Sequence, residues 1–232
     1  MRRCSSRVVV TSPATARLLA ADYGVSSEHI TVVVPGVERR SFARGSSDGK
    51  ISLLSVGSVV PRKGYDILVT ALAGLKDLAW RLTIAGDRSR DPAAAFWLDA
   101  AIQRLGLDGR VDVLGAVADD RLADLYDAAD LFVLASRFEG YGMAYAEAIA
   151  HGLPVVGTSA GAIPETVPPG AGMLVPPDDI EALAAALRRL IEHPDEREGL
   201  AAGARAVRFP SWKDQAARFA QVLDSLALED LA

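Results

Sequence analysis

Apolar runs of strand length alternate with segments of helical period along most of the chain. Six of these runs lie at residues 51–58, 80–87, 111–117, 131–136, 154–159 and 172–177. Because these runs are largely apolar and helical segments separate them, they predict a parallel sheet covered by helices on both sides. With right-handed crossovers, this order gives an α/β fold with a doubly wound, Rossmann-like parallel sheet.

The same pattern divides the chain into three parts. Residues 1–46 predict a strand, a helix and a second strand, and the polar connector GSSDGK follows at 45–50. Residues 47–210 predict the Rossmann-like domain, and residues 211–232 predict a final helix. Since ligands of such sheets bind at the carboxyl ends of the strands, we expect the functional residues in the loops that follow the apolar runs.

Local signals fix several helix starts within the predicted domain. Asp91 stands before Pro92, the order expected of an N-cap and a first helical residue. Asp178 or Asp179 caps the strongly amphipathic segment that follows them. A Gly-Tyr-Gly turn before Met143 cannot lie inside a stable helix, so a further helix should begin there.

Composition and charge exclude several classes of protein. Hydrophobic residues make up 50% of the 232, which is enough to bury a core. The net charge of −5 argues against non-specific nucleic-acid binding, which needs a basic surface. Cys4 is the single cysteine, so the chain has no intrachain disulfide, and we expect a cytoplasmic location. No run approaches the ~20 apolar residues of a spanning helix.

Two glutamates flank the predicted helix start at Met143. Glu139 and Glu147 lie in EGYGMAYAEAIAHG, with seven residues between them. The exposed N–H groups of a helix start, together with the helix dipole, suit a phosphate. A nucleotide resting there would offer its ribose to one carboxylate and an attached sugar to the other, since carboxylates accept paired hydroxyls well. The alternative is that both glutamates are solvated surface residues.

A basic turn forms the second candidate site. The segment VVPRKGYD, residues 59–66, follows the first strand of the predicted sheet, where a ligand loop belongs. Arg62 and Lys63 bring two cations to this turn, and such a pair can neutralise a diphosphate. A solvated basic turn explains the same two residues.

Taken together, these motifs resemble the carboxyl-terminal domain of the group 1 glycosyltransferases, also called family 4, which have the two-domain GT-B fold. The longest similar segment is EGYGMAYAEAIAHGLPVV, and PRKGYDILVTAL resembles the lysine-glycine loop and helix of the family. Further similar segments follow in family order: VLGAV, LYDAADLFVLASRFEG, GAIPETV, GMLVPPDDIEALAAAL and FPSW.

The resemblance implies a retaining transferase that moves a hexosyl group from a UDP-, GDP- or ADP-sugar to an acceptor, without a required metal or other cofactor. It implies that Glu139 contacts and orients the transferred sugar. By the same resemblance, Glu147 would hold the ribose hydroxyls and Lys63 would bind the diphosphate of the donor.

The resemblance also implies roles for backbone groups near the two motifs. Amides at Tyr141, Gly142 and Met143 would support the phosphate or the sugar. Val117, in the loop 115–117, would lie against the nucleotide base. Ser58 departs from the family, which usually has an arginine at this position. Arg62 would then supply the missing charge from a neighbouring place.

The second departure from the family is length. Only the end of an amino-terminal, acceptor-binding domain resembles residues 1–46, and the final helix resembles the one that crosses back to that domain. We therefore expect the chain to be inactive alone and to need that domain or a partner chain. Its absence should leave apolar surface on the first segment and the final helix, which favours self-association. Peripheral membrane contact of a full enzyme stays open.

Other functions fit parts of this pattern. A non-catalytic or regulatory module would bind the same nucleotide sugar but transfer nothing. A nicotinamide-dependent dehydrogenase would need Gly-x-Gly-x-x-Gly after a strand. The segment GSVVPRKG, residues 57–64, does not fit that motif. His29, His151 and His193 are scattered and form no metal-ligand pattern.

Overall fold

A small amino-terminal lobe precedes the main sheet. The computed structural model describes residues 7–38 and 40–229, so Cys4 and residues 230–232 of the predicted final helix lie outside the described residues. The lobe consists of strand β1 (Val8–Val10), helix α1 (Pro13–Tyr23) and strand β2 (Ile30–Val32). Strands β1 and β2 pair in parallel as a separate two-stranded sheet. The strand, helix and strand expected in this part of the chain are therefore present.

A six-stranded parallel sheet forms the centre of the described chain. Its strands are β3 (Ile51–Val56), β4 (Trp80–Ala85), β5 (Val111–Gly115), β6 (Leu131–Val133), β7 (Val155–Thr158) and β8 (Gly172–Val175). They lie in the order β5-β4-β3-β6-β7-β8, and each neighbouring pair is parallel. The chain builds one half of the sheet outward from β3, then returns and builds the other half from β6. The crevice between β3 and β6 is therefore the topological switch point, where ligands bind in folds of this kind.

Helices flank this sheet. They are α2 (Tyr65–Ala73), α3 (Pro92–Arg104), α4 (Asp119–Asp127), α5 (Met143–Ala150), α6 (Ile163–Thr166), α7 (Ile180–Glu192), α8 (Pro194–Ala206) and α9 (Trp212–Glu229). Helix α2 packs against α3 and α7, and α5 packs against α6 and α8. The described helices include none with both the length and the apolar character needed to cross a bilayer.

The core lies between the sheet and these helices. Its largest fully buried side chains include Trp80, Phe132 and Tyr145. Leu53 on β3 and Leu82 on β4 are cross-strand partners and are both 0% exposed. Burying one such side chain stabilises the fold by about 1.5–3 kcal/mol. The core therefore holds the carboxyl ends of the central strands in fixed positions.

The predicted helix starts agree with the structure. The Asp91 carboxylate accepts a hydrogen bond of 2.9 Å from the backbone N–H of Ala94. At α7 the cap is Asp179 rather than Asp178, because the Asp179 carboxylate accepts from the N–H of Ala182 at 2.8 Å. Helix α5 begins at Met143, as the preceding glycines require.

The amino-terminal lobe contacts the loop that follows β6. The hydroxyls of Thr11 and Thr15 each donate to the carbonyl oxygen of Gly140 at 3.3 Å. The N–H of Ala14, at the start of α1, donates to the Glu165 carboxylate at 3.0 Å. The lobe is thus attached beside the Glu-Gly-Tyr-Gly turn.

Candidate functional site

The basic turn after β3 meets the glutamate loop after β6 at the switch point. Lys63 Nζ donates to Glu139 Oε1 at 2.7 Å, and Ser136 Oγ donates to the same oxygen at 2.7 Å. Arg62 Nη1 lies 3.2 Å from Glu139 Oε2. We call these four residues the Lys63–Glu139 cluster. It joins two segments that lie 76 residues apart in the sequence.

Most of this cluster is shielded from solvent. Glu139 is 8% exposed, whereas the side chain of Arg62 is 48% exposed and faces water. Burial by itself raises the pKa of Glu139, but the charge and hydrogen bond of Lys63 and the remaining donors outweigh it. The pKa of this carboxyl therefore lies below its ordinary value, and Glu139 is ionised at neutral pH. It is not a solvated loop residue.

Arg137 attaches the basic turn to the end of β6. Its guanidinium donates to both oxygens of Asp66, at 3.0 and 2.6 Å, and to Asp178 at 2.7 Å. It also donates to the carbonyl oxygen of Pro61. The backbone N–H of Arg137 donates to the carbonyl of Arg62 at 2.8 Å. These hydrogen bonds hold the basic turn, which follows β3, against the end of the neighbouring strand β6.

Two glycines allow the loops to approach this closely. Residues 61–63 form a short 3₁₀ turn that ends at Gly64, whose φ is +66°. A Cβ at Gly64 would collide with the carbonyl oxygen of Ala135. Gly161, with φ of +56°, packs in the same way against the backbone of Glu139. The N–H of Ala162 then donates to the Glu139 carbonyl at 2.9 Å.

The start of α5 lies directly after this loop. Gly142 occupies the N-cap position with φ of +96°, a left-handed conformation that favours glycine. The first N–H groups of a helix have no acceptor within the helix, so those at Gly142, Met143 and Ala144 are oriented for an anion. Tyr141 is half-buried, and its carbonyl accepts from Thr166 Oγ1 at 2.5 Å.

Glu147 lies one turn further along α5, in a different environment. Its Oε2 accepts from the Tyr126 hydroxyl at 3.2 Å. Together with Met143, Asp119 and Arg40 it lines a cavity of about 300 Å³ between α4, α5 and the segment 36–40. Burial raises the pKa of Glu147, and the charge of Asp119 raises it further, while the Tyr126 hydroxyl opposes both effects.

The structure thus groups the predicted residues into two places. Lys63, Arg62 and Glu139 form the Lys63–Glu139 cluster, whereas Met143 and Glu147 line the cavity. Glu139 is not among the residues that line this cavity. The two glutamates therefore flank the α5 start but contact separate sets of side chains.

The other two predicted residues lie in adjacent loops. Ser58 is half-buried and follows Gly57, against which the aliphatic part of the Lys63 side chain packs. Val117 is half-buried in the loop between β5 and α4, two residues before Asp119, which lines the cavity. Both residues therefore lie in loops that follow parallel strands of the main sheet, Ser58 after β3 and Val117 after β5.

Sequence reasoning missed Ser136, Arg137 and Tyr126. Ser136 and Arg137 lie next to the glutamate motif, so their position beside Glu139 was a usable signal. Tyr126 gives no such signal, because it lies on α4 and reaches Glu147 only in the folded chain. Within residues 7–38 and 40–229, no group of three or more His, Cys, Asp or Glu side chains is suited to hold a metal ion.

The six-stranded parallel sheet with helices on both sides and a switch point between β3 and β6 defines a doubly wound, Rossmann-like α/β domain. A sequence model of the family described as Glycosyl transferases group 1 matches residues 37–207. The chain therefore belongs to the group 1 glycosyltransferases, and its fold corresponds to the carboxyl-terminal domain of GT-B enzymes. The predicted family and fold class are confirmed.

Curated relatives of the chain carry glycosyltransferase names. A D-inositol 3-phosphate glycosyltransferase from Xylanimonas cellulosilytica is 35% identical over 94% of this chain and 56% of its own length. A mannosylfructose-phosphate synthase from Agrobacterium fabrum is 30% identical over 82% of this chain and 46% of its own length. The chain thus spans about half the length of these relatives.

Solved structures agree with this family. HepE from Anabaena, in complex with UDP-glucose, is 27% identical with a TM-score of 0.86, covering 97% of this chain and 65% of that one. A glycosyltransferase from Rickettsia africae is 22% identical with a TM-score of 0.87, covering 96% of this chain and 64% of that one. The second similarity concerns the fold alone.

Proposed function

We propose that this chain is the donor-binding part of a retaining glycosyltransferase that moves a hexosyl group from a nucleoside-diphosphate sugar to an acceptor. The observation that carries the proposal is the Lys63–Glu139 cluster at the switch point, directly before the open start of α5. The similarity to HepE, whose structure contains UDP-glucose, supports the same class of ligand.

The diphosphate would bind between the basic turn and the helix start. Lys63 and Arg62 face the single carboxylate of Glu139, so the cluster keeps positive charge for an anion. The N–H groups around Gly142 and Met143 add donors from the other side. Because Ser58 provides no charge, Arg62 would supply it by leaving its contacts with the Phe138 carbonyl at 2.5 Å and with Glu139, since half of its side chain lies in solvent.

The transferred sugar would then lie against Glu139. This carboxylate is ionised and held by Ser136, and its neighbours fix its direction. An ionised carboxylate accepts hydrogen bonds from sugar hydroxyls and orients the ring for attack. In the retaining mechanism that we propose, Glu139 positions the sugar, and the leaving diphosphate helps to remove the proton of the acceptor.

The nucleoside would occupy the cavity beside α5. Glu147 lines this cavity and would accept from the ribose hydroxyls. Val117, in the loop before α4, would contact the base. The volume of about 300 Å³ is at the lower end of the range for small-molecule pockets.

Acceptor contacts would come from another domain or chain. The chain spans about half the length of its relatives, so we propose that it binds the donor but does not transfer sugar alone.

We also propose that binding needs no metal. Titration in the presence of EDTA should then give the same affinity as titration with added Mg²⁺.

Calorimetry with UDP, GDP and ADP tests the proposed function directly. At least one of them should bind, and Lys63→Ala should weaken that binding by on the order of 1–3 kcal/mol, because a charged hydrogen bond to phosphate is lost. Lys76→Ala is the matched control, since Lys76 is exposed and lies outside the site. Equal binding by Lys63→Ala and the parent would refute the diphosphate assignment, and absence of binding by the parent would refute the function.

A further inference from the structure

A buried pair of rings lies beneath the Glu147 carboxylate. The Tyr126 ring stacks on the His151 imidazole with a centroid distance of 4.6 Å and an interplanar angle of 9°. Tyr126 is 2% exposed and His151 is 5% exposed. From this stack the Tyr126 hydroxyl donates to Glu147 Oε2 at 3.2 Å. Among the hydrogen bonds of the described residues, the Tyr126 hydroxyl provides the one donor to the Glu147 carboxylate, and this hydroxyl belongs to a stacked aromatic pair.

Three parts of the fold hold the Tyr126 ring. Tyr126 belongs to α4, and His151, directly after α5, covers one of its faces. Phe132 of β6 lies 6.4 Å away in a stacked arrangement. The carbonyl of His151 in turn accepts from the N–H of Ala43 at 2.8 Å, which ties the stack to the segment before β3. Since packed rings have few alternative rotamers, the hydroxyl position is fixed before any ligand arrives.

The electrostatics make the Tyr126 hydroxyl a permanent donor. Burial and the adjacent Glu147 carboxylate raise the pKa of Tyr126 well above its ordinary value, so its proton stays in place at physiological pH. One bond from Tyr126 uses one of about four acceptor positions of a carboxylate. The Glu147 carboxylate can therefore accept two ribose hydroxyls while Tyr126 holds it.

We propose that Tyr126 is a positioning residue that orients Glu147 toward the ribose hydroxyls, and that His151 fixes the Tyr126 ring by stacking. This inference rests on the proposed function, because it takes Glu147 as the ribose-binding carboxylate. Its consequence is selectivity: the site should prefer a ribonucleoside diphosphate over its 2′-deoxy analogue, and this preference should depend on a residue that does not touch the ligand.

The test compares two ligands on each variant by calorimetry. The ligands are the nucleoside diphosphate that binds most tightly among UDP, GDP and ADP, and its 2′-deoxy analogue. Tyr126→Phe should lower the ratio of the two affinities by about threefold to tenfold, as expected for one lost hydrogen bond that orients a carboxylate. Glu147→Gln should lower it at least as much. His151→Ala should lower it as well, whereas His151→Phe, which retains a stacking ring, should preserve it.

Matched controls separate positioning from a loss of stability. Tyr23→Phe removes a hydroxyl from a tyrosine that is 72% exposed on the lobe, so the ratio should not change. Lys63→Ala should weaken both ligands equally and leave the ratio unchanged, because the proposed contact of Lys63 with the ligand is to the diphosphate and not to the ribose. A purely structural effect of Tyr126→Phe would lower the melting temperature and weaken both ligands by one factor.

The outcomes distinguish a failure of the Tyr126 proposal from a failure of the proposed function. If the parent chain binds none of the nucleotides, both fail. If the parent does not distinguish the two sugars, or Glu147→Gln keeps the full ratio, the ribose role of Glu147 is wrong and the inference falls with it. If Glu147→Gln loses the ratio while folded Tyr126→Phe keeps it, the proposed function stands and the role of Tyr126 is refuted.

Discussion

Two glutamates of one short motif have opposite electrostatic surroundings. Lys63 and its neighbours hold the pKa of Glu139 below the ordinary value, although burial acts in the other direction. Burial raises the pKa of Glu147, and the Tyr126 hydroxyl and the charge of Arg40 offset this rise only in part. One carboxylate therefore stays charged within an ion pair, whereas burial is the dominant influence on the other.

The lowered pKa of Glu139 predicts a pH-dependent contribution to stability. Because the folded pKa lies below the unfolded one, the ion pair stabilises the fold above the ordinary pKa of 4.5. This contribution is lost as the pH falls through the folded value. Glu139→Gln should therefore destabilise the chain at pH 7, and the difference from the parent should shrink as the pH falls below about 4.5.

Denaturant unfolding between pH 3 and pH 7 measures this difference, with about half-unit steps sufficient to define the slope. Glu181→Gln provides the control, because Glu181 is exposed at the start of α7 and contacts none of the cluster. A constant difference between Glu139→Gln and the parent over the whole range would mean that the Lys63–Glu139 ion pair does not form in solution.

At the scale of elements, the sequence predicted most helices and strands but extended some strands too far. The run 131–136 predicts one strand, whereas β6 ends at Val133. Leu134 and Ala135 are 0% and 1% exposed, yet they lie in the loop that leads to Glu139. An apolar pattern records burial and not hydrogen bonding, so it does not distinguish a strand end from a buried loop.

Part of the candidate site also could not be predicted from the sequence. The pairing of the basic turn with the glutamate loop follows from the sheet order, because both loops leave carboxyl ends at the switch point. The Arg137 contacts with Asp66 and Asp178 and the bond from Tyr126 to Glu147 depend on side-chain positions over 21 to 71 residues of separation. No local pattern of residues encodes such distances.

Gly64 allows a specific prediction at this scale. Gly64→Ala combines a strained backbone at φ of +66° with a collision against the carbonyl of Ala135. The backbone strain alone costs on the order of 1–3 kcal/mol, and the collision adds to it. The substitution should lower the unfolding free energy by more than the strain alone and displace Lys63 from Glu139, so nucleotide binding should weaken as well.

Gly24→Ala is an unusually close control for this substitution. Gly24 has the same φ of +66°, but an added Cβ there meets nothing within 4 Å. The difference in unfolding free energy between the two variants therefore isolates the contact with Ala135. Equal destabilisation by both, measured in denaturant, would show that the two loops are not in close contact in solution.

At the scale of the whole molecule, helix α9 stands apart from the core. None of its side chains between Trp212 and Ala227 is buried. Trp212, Phe219 and Leu223 are 51%, 43% and 52% exposed, and their spacing places them along one stripe of the helix. The amino-terminal lobe likewise exposes Val8. Apolar surface therefore lies on the two segments where the sequence predicts contact with a further domain.

This exposed stripe predicts concentration-dependent self-association of the chain. Apolar surface removed from water stabilises a contact by roughly 25 cal/mol per Å², so two partly exposed side chains of α9 can drive weak pairing. Replacing Phe219 and Leu223 together by lysine should weaken association by about tenfold or more, as measured by sedimentation velocity. Phe96→Lys is the control, since Phe96 is 77% exposed on α3, away from the stripe. A parent chain that remains monomeric at its highest soluble concentration, or a Phe96→Lys variant that loses association equally, would show that α9 is not the contact surface.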